Sequence, residues 1–221
     1  MLDLSFSVNP RRALRVLCIG AHCDDIEIGC GATLAALRRE RKRLEVRWVV
    51  LSGADDRRRE STAAMRALLG PRAFNEGIFG GLRDGYLPAQ YAAAKELFET
   101  LKSLPAPDVI FSHERGDRHQ DHRGISELVW STFRDHTIFE YEIPKWDGGL
   151  GTPNVYCPVS RRDAEAKVAA LMRAHASQVG KDWFKPEVFL GFMRLRGVEC
   201  RSPSGYAEGF YGHKLRLAVQ P

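Results

Sequence analysis

Short apolar runs alternate with longer amphipathic stretches along most of the chain. Ala13 to Ile19 (ALRVLCI) is apolar, rich in branched side chains and stops at Gly20, the pattern of a buried strand. Leu44 to Leu51 (LEVRWVVL), Ala73 to Phe79, Asp108 to Phe111 (DVIF) and His136 to Ile143 (HTIFEYEI) read as four more strands, the one over Ala73–Phe79 weak. Helical patterns lie between them, over Gly31–Arg43, over Asp55–Leu69 before Gly70-Pro71, over Gln90–Leu104 before Pro105-Ala106-Pro107, and over Gln120–Phe133. This alternation predicts βαβ units and an α/β, Rossmann-like fold, a mostly parallel sheet flanked by helices. After it the pattern is less regular. Trp146 to Asn154 (WDGGLGTPN) reads as a loop, Ser160–His175 and Pro186–Arg196 as helices, and Gly197–Gly209 as loop-rich. With no repeat and no evident linker, residues 1–221 are expected to form a single domain. Its core is placed at about 13–143, and a C-terminal extension at about 144–221 completes the pocket.

Composition narrows the function classes. The chain has 221 residues, 44% of them hydrophobic and 28% charged, proportions of an ordinary globular protein rather than a disordered or collagenous one. It lacks the long apolar run of a membrane span and the basic-then-apolar start of a signal peptide. Five cysteines, an odd number with no Cys-x-x-Cys pair, argue against a disulfide framework and for a reducing, cytoplasmic setting. The net charge of +5 leaves open a nucleic-acid partner or an anionic small molecule. Basic clusters at Arg38-Arg39, Arg41–Arg43 and Arg57–Arg59 come with no nucleic-acid-binding motif, and the first sits at a helix end that favours cations anyway. No nucleic-acid partner is therefore expected.

The candidate chemistry lies in two segments, each directly after a strand. The first is Ala21-His22-Cys23-Asp24-Asp25, where His22 and Asp25 are three residues apart and one helical turn could aim both at a point. The second is His113-Glu114-Arg115-Gly116-Asp117-Arg118-His119-Gln120-Asp121-His122, with three histidines and three acids in ten residues. Helix capping alone would account for an isolated Asp-Asp pair. In a doubly wound sheet, however, the first and fourth strands are commonly neighbours at the topological switch point, so the two segments would face one crevice. A His–Asp–His set with an open position suits a catalytic metal, zinc first among the divalent ions.

The residues resemble a known family. His22-Cys23-Asp24-Asp25 resembles the His-Pro-Asp-Asp motif of the PIG-L/LmbE-like zinc-dependent N-deacetylases, and His119-Gln120-Asp121-His122 resembles their His-x-Asp-His motif. Arg57 with Glu60, Arg83-Asp84-Gly85, His175-Ala176-Ser177-Gln178 and Ala207-Glu208-Gly209-Phe210 resemble further motifs of that family, in the same order. Cys23 departs from the pattern, standing where the family usually has Pro. It leaves the ligands intact but puts a thiol beside the site, open to oxidation or to alternative ligation.

The resemblance implies a zinc-dependent enzyme that removes an N-acetyl group from an amino sugar or glycoconjugate. By that resemblance His22, Asp25 and His122 hold the ion, and Asp24 is the general base for attack by metal-bound water. His119 stabilises the oxyanion, with orientation of a ligand as the plainer alternative. Asp84 and Arg57 bind substrate, although Arg58 or Arg59 could point inward instead. His113 is expected to line the pocket or simply to pack at its strand end. Trp146 is expected to stack on a sugar or to sit on the rim. His175, Tyr206 and Glu208 are weaker candidates for pocket walls. Basic residues near this edge, Arg57–Arg59, Arg115, Arg118 and Arg123, would favour an anionic substrate. The partner implied is a small molecule, and a homo-oligomer is compatible with the sequence. A metal-dependent hydrolase of another amide or an ester would use the same residues. A nucleotide-binding α/β protein is disfavoured, because Leu34 stands where Gly-x-Gly-x-x-Gly needs its third Gly.

Overall fold

The computed structural model describes residues 3–6, 9, 11–73 and 77–216, without the side chain of Arg72. Among the described residues seven strands and six α-helices follow in the order β1 Leu14–Gly20, α1 Asp25–Glu40, β2 Leu44–Ser52, α2 Asp55–Ala73, β3 Ile78–Leu82, α3 Tyr91–Leu101, β4 Val109–His113, α4 Gln120–Thr132, β5 Thr137–Tyr141, β6 Val155–Val159, α5 Arg161–Ala174, α6 Pro186–Glu199 and β7 Tyr206–Gly212. One sheet takes the order β3-β2-β1-β4-β5-β7-β6. The first five strands run parallel, and β7 pairs antiparallel with both β5 and β6.

The central strands are apolar on both faces because both faces are covered. Val16, Cys18, Val46, Trp48 and Val50 join one core with residues of α1, α2, α5 and α6. Leu17, Ile19, Val49 and Leu51 point the other way and join a second core with Ala94, Phe98, Ile125 and Leu128 from α3 and α4. β1 pairs directly with β4, Val16 opposite Val109, so the turn after β1 and the loop after β4 open at the same sheet edge.

Three expectations are corrected. The strand expected over Ala73–Phe79 is Ile78–Leu82; Ala73 ends α2, and positions 74–76 lie outside the described residues. The C-terminal part does more than complete a pocket, since Val155–Val159 and Tyr206–Gly212 are strands of the same sheet. The third correction concerns α1, which starts at Asp25 rather than Gly31.

The reason is a break inside α1. Cys30 leaves helical geometry (φ −141°, ψ 17°), so the segment from Gly31 is a second helical piece that reads in sequence as the whole helix. A break frees backbone donors and acceptors that must find other partners. Glu208, on β7, accepts the N–H groups of Ala32 (3.1 Å) and Thr33 (2.7 Å). Lys167 donates to the Ile28 carbonyl at 2.5 Å and pairs with Glu208 at 2.7 Å. Both charged side chains are buried, so Glu208 is part of the frame that holds α1. Gly29 is needed where α1 meets β5: a Cβ there would lie 2.2 Å from the Tyr141 ring, whose hydroxyl donates to the Ile19 carbonyl.

Candidate metal centre

The turn after β1 is closed by its own acid. The His22 N–H donates to Asp25 Oδ2 at 2.7 Å, which holds the carboxylate at the N-terminus of α1, where negative charge is favoured. The second segment enters from the N-terminus of α4. His119 caps that helix by accepting the Asp121 N–H at Nδ1, and His122 follows one turn later.

The two segments converge. His22 Nδ1 lies 3.2 Å from His122 Nε2 and 3.2 Å from Asp25 Oδ2, and His122 Nε2 lies 3.5 Å from Asp25 Oδ1. Ligand atoms about 2.05 Å from a tetrahedral zinc ion are separated by roughly 3.3 Å, the spacing of the His22–His122 pair, while the two Asp25 distances run to different oxygens of its carboxylate. Other groupings also bring ligand atoms within 4.8 Å of one another: His22, His119 and His122; Asp25, His113 and His122; and His22, Asp84 and Asp121. Hydrogen bonding separates them. Asp117 Oδ2 is 2.7 Å from His122 Nδ1, so that nitrogen carries the proton and the Nε2 lone pair faces the site, where Lys145 Nζ lies 3.2 Å away. His119 uses the Nδ1 lone pair on Asp121, so its Nε2 carries the proton and is a donor rather than a ligand. His113 Nε2 accepts the Ala21 N–H at 2.9 Å, which engages its lone pair too.

The charges around the site favour a cation at the ligand nitrogens. Burial pulls the His22 ring towards neutrality, but Asp25, Asp121 and Asp84 outweigh it and hold its pKa well above the usual value. Burial opposes charge on Asp25 as well, and the rings of His122, His113 and His22 bring its carboxyl well below the ordinary range. His119 is lowered to about 4 by burial and by the neighbouring positive groups His122, Lys145 and His22. It is therefore neutral near pH 7.

Asp24 is 6% exposed, and its Oδ2 forms an ion pair with Arg57 Nη2 at 3.0 Å. Of the three consecutive arginines, Arg57 is thus the one turned inward. Arg58 donates to the Gly53 carbonyl and lies over Phe79, and Arg59 is exposed. Arg57 also meets Glu60 at 2.5 Å, so its guanidinium is engaged by the protein rather than free for substrate. Arg115 is likewise paired, with Glu140. These pairings weaken the expectation that basic residues here favour an anionic substrate. Asp84 has a 72% exposed side chain and reaches His22 Nε2 at 3.1 Å. His113 is fully buried and stacks on His122 with ring centroids 3.8 Å apart. Trp146 is 67% exposed, its ring edge-on to Trp183 at 6.1 Å.

Cys23 does not behave as the sequence suggested. Its Sγ donates to the Ser52 carbonyl, the side chain is 1% exposed, and burial pushes the thiol up to about 12. It is a packed thiol rather than a reactive or ligating one. Two residues at the site were not foreseen. One is Asp117, which orients His122. The other is Lys145, whose Nζ is 3.2 Å from His122 Nε2.

Comparisons with known proteins bear on the family and the fold. The pattern of the family PIG-L, GlcNAc-PI de-N-acetylase, matches residues 17–133, the stretch that holds both segments. "Uncharacterized deacetylase YaiS" of Escherichia coli (strain K12) is 32% identical over 186 residues, 78% of this chain and 97% of that protein. Among solved structures, the N,N'-diacetylchitobiose deacetylase of Pyrococcus horikoshii is similar with a TM-score of 0.72 at 23% identity, covering 92% of this chain and 85% of that one. GalB, the 4-carboxy-2-hydroxymuconate hydratase of Pseudomonas putida KT2440, has a TM-score of 0.73 at 16% identity, covering 94% of this chain and 99% of that one. At such identities these two likenesses establish the fold, and the hydratase shows that the fold is not confined to one reaction.

Proposed function

The chain belongs to the PIG-L (GlcNAc-PI de-N-acetylase) family, and from that premise we propose that it is a metal-dependent hydrolase removing the acetyl group from an N-acetylated amino sugar or its glycoconjugate. The observation that carries the reading is the convergence of His22 Nδ1, His122 Nε2 and the Asp25 carboxylate, with Asp24 beside them. His22, Asp25 and His122 would hold zinc or another divalent ion. When bound, the ion polarises the amide carbonyl and makes water at the centre more acidic.

The chain's own residues do the rest. Asp24, held through Oδ2 by Arg57, takes a proton from the attacking water and returns it to the departing amine. Neutral His119 donates from Nε2 to the carbonyl oxygen as negative charge develops there. Asp117 keeps His122 in the tautomer whose proton is on Nδ1 and whose lone pair is on Nε2. Asp84 is exposed enough to accept sugar hydroxyls, and Trp146, exposed as well, is the side chain we assign to stacking on a sugar.

The test measures bound metal together with acetate release from a panel of N-acetylhexosamines and their glycosides. Asp24→Ala should keep the metal and lose most turnover, whereas His122→Ala should lose the metal. A protein without stoichiometric metal and without metal-restored acetate release would overturn the reading, and a near-wild-type Asp24→Ala would remove the base assignment.

A further inference from the structure

Two buried ionisable side chains, Glu27 and His175, take no part in the chemistry above, and both are 0% exposed. Burying such groups is unfavourable unless they are paired, so their partners indicate what they do. His175 Nε2 is 3.1 Å from Glu27 Oε1, and Ser61 Oγ donates to the same oxygen at 3.2 Å. On its other side, His175 Nδ1 is 3.3 Å from Arg57 Nη1. A guanidinium has no lone pair to offer, so Nδ1 must be the acceptor and the proton must sit on Nε2, facing Glu27. The imidazole therefore has a single orientation and a single tautomer, set from both ends.

Arg57 is the link to the chemistry. Nη1 donates to Glu60 and to Ser177 Oγ (3.0 Å), while Nη2 reaches Asp24 Oδ2 at 3.0 Å. Glu60 is itself held, accepting both the N–H (2.8 Å) and the hydroxyl (2.7 Å) of Ser177. Asp24 and Glu27 are three residues apart at the start of α1, so the acid that begins this chain and the carboxylate that ends it share one short piece of backbone.

We propose that His175, backed by Glu27, is a positioning residue for the reaction: it sets the Arg57 guanidinium against Asp24 Oδ2 and so fixes the orientation of the carboxylate that carries the proton. This also reassigns Arg57 from substrate binding to holding the base. A misplacement of about 1 Å at a reacting group can cost about 100-fold in rate. The inference rests on the reading of Asp24 as base, and its test separates the two.

Kinetics are measured on the substrate identified by the acetate panel for wild type, His175→Ala, His175→Asn, Asp24→Asn and the double variant His175→Ala/Asp24→Asn, with metal content and melting temperature for each. His175→Ala should lower kcat about 10- to 100-fold with KM within about twofold and metal content unchanged. His175→Asn, whose amide oxygen can replace Nδ1 as acceptor for Arg57, should recover part of that loss. In the Asp24→Asn background His175→Ala should have no further effect on kcat, because the group it orients no longer carries the proton. A loss of the same size in both backgrounds, or a change confined to KM, would overturn the inference while leaving the base reading intact. Near-wild-type kcat for Asp24→Asn would sink the base reading and the inference with it.

Discussion

Asp117 shows how much one carboxylate contributes at the scale of single residues. Burial works against its charge, but the bond and attraction to His122, with His113 and the His119 N–H, bring its pKa down to about 2. A group whose folded pKa is depressed adds stability above its unfolded value, near 3.8, and that stability is lost as pH falls towards 2. Asp117→Asn should therefore destabilise the metal-free protein by about 2 kcal/mol at pH 7, and the difference from wild type should shrink below about pH 4. Urea unfolding at a series of pH values checks this; a difference independent of pH would show that Asp117 is not held ionised by these neighbours. The motif residues were legible because His22, Asp24 and Asp25 fall within four residues and His119 and His122 lie one turn apart. Asp117, Lys145 and Glu27 were not legible in these roles. What they do depends on burial and on which ring nitrogen faces which neighbour, and sequence spacing encodes neither. The one usable signal was Asp117, an acid five residues before a candidate ligand in an acid-rich run.

At the scale of elements, strands β1, β2, β4 and β5 could be read from apolar runs because they are buried on both faces. β6 and β7 could not. VYCPV contains a Pro and lies at the sheet edge, and Tyr206–Gly212 carries Glu and two Gly in a seven-residue strand. The acid that makes β7 look like a loop is Glu208, which is there to cap the break in α1. Removing it would leave Lys167 buried without its counter-charge and two amides without their acceptor. Glu208→Ala should destabilise by about 3–5 kcal/mol, and adding Lys167→Met should cost less in that background than in wild type. Denaturant titration of the two single variants and the double variant measures the coupling, and strictly additive losses would contradict it.

At the scale of the molecule, the proposed ligands come from either side of the β1–β4 junction, and an ion held there would clamp two segments nearly a hundred residues apart in sequence. Anything that binds only the folded state stabilises it by mass action, by about 2.7 kcal/mol at a free concentration of 100 Kd. For a chain of this size that corresponds to a rise in Tm of roughly 5–10 °C. Calorimetry of chelator-treated protein with and without added zinc should show this rise, and His122→Ala should abolish it. An equal rise in that variant would place the stabilising ion elsewhere. Among the described residues no helix is long and apolar enough to cross a membrane.

The cap on α1 also bears on the order of events during synthesis. A nascent chain that has emerged only as far as Ser204 already carries His22, Asp25 and His122, but not Glu208. The helix that presents Asp25 then still has its break uncapped and Lys167 without its counter-charge. For the proposed ion this means that firm capture would wait for β7, and a chain that stops short of it would carry the proposed ligands without the buried pair that frames α1.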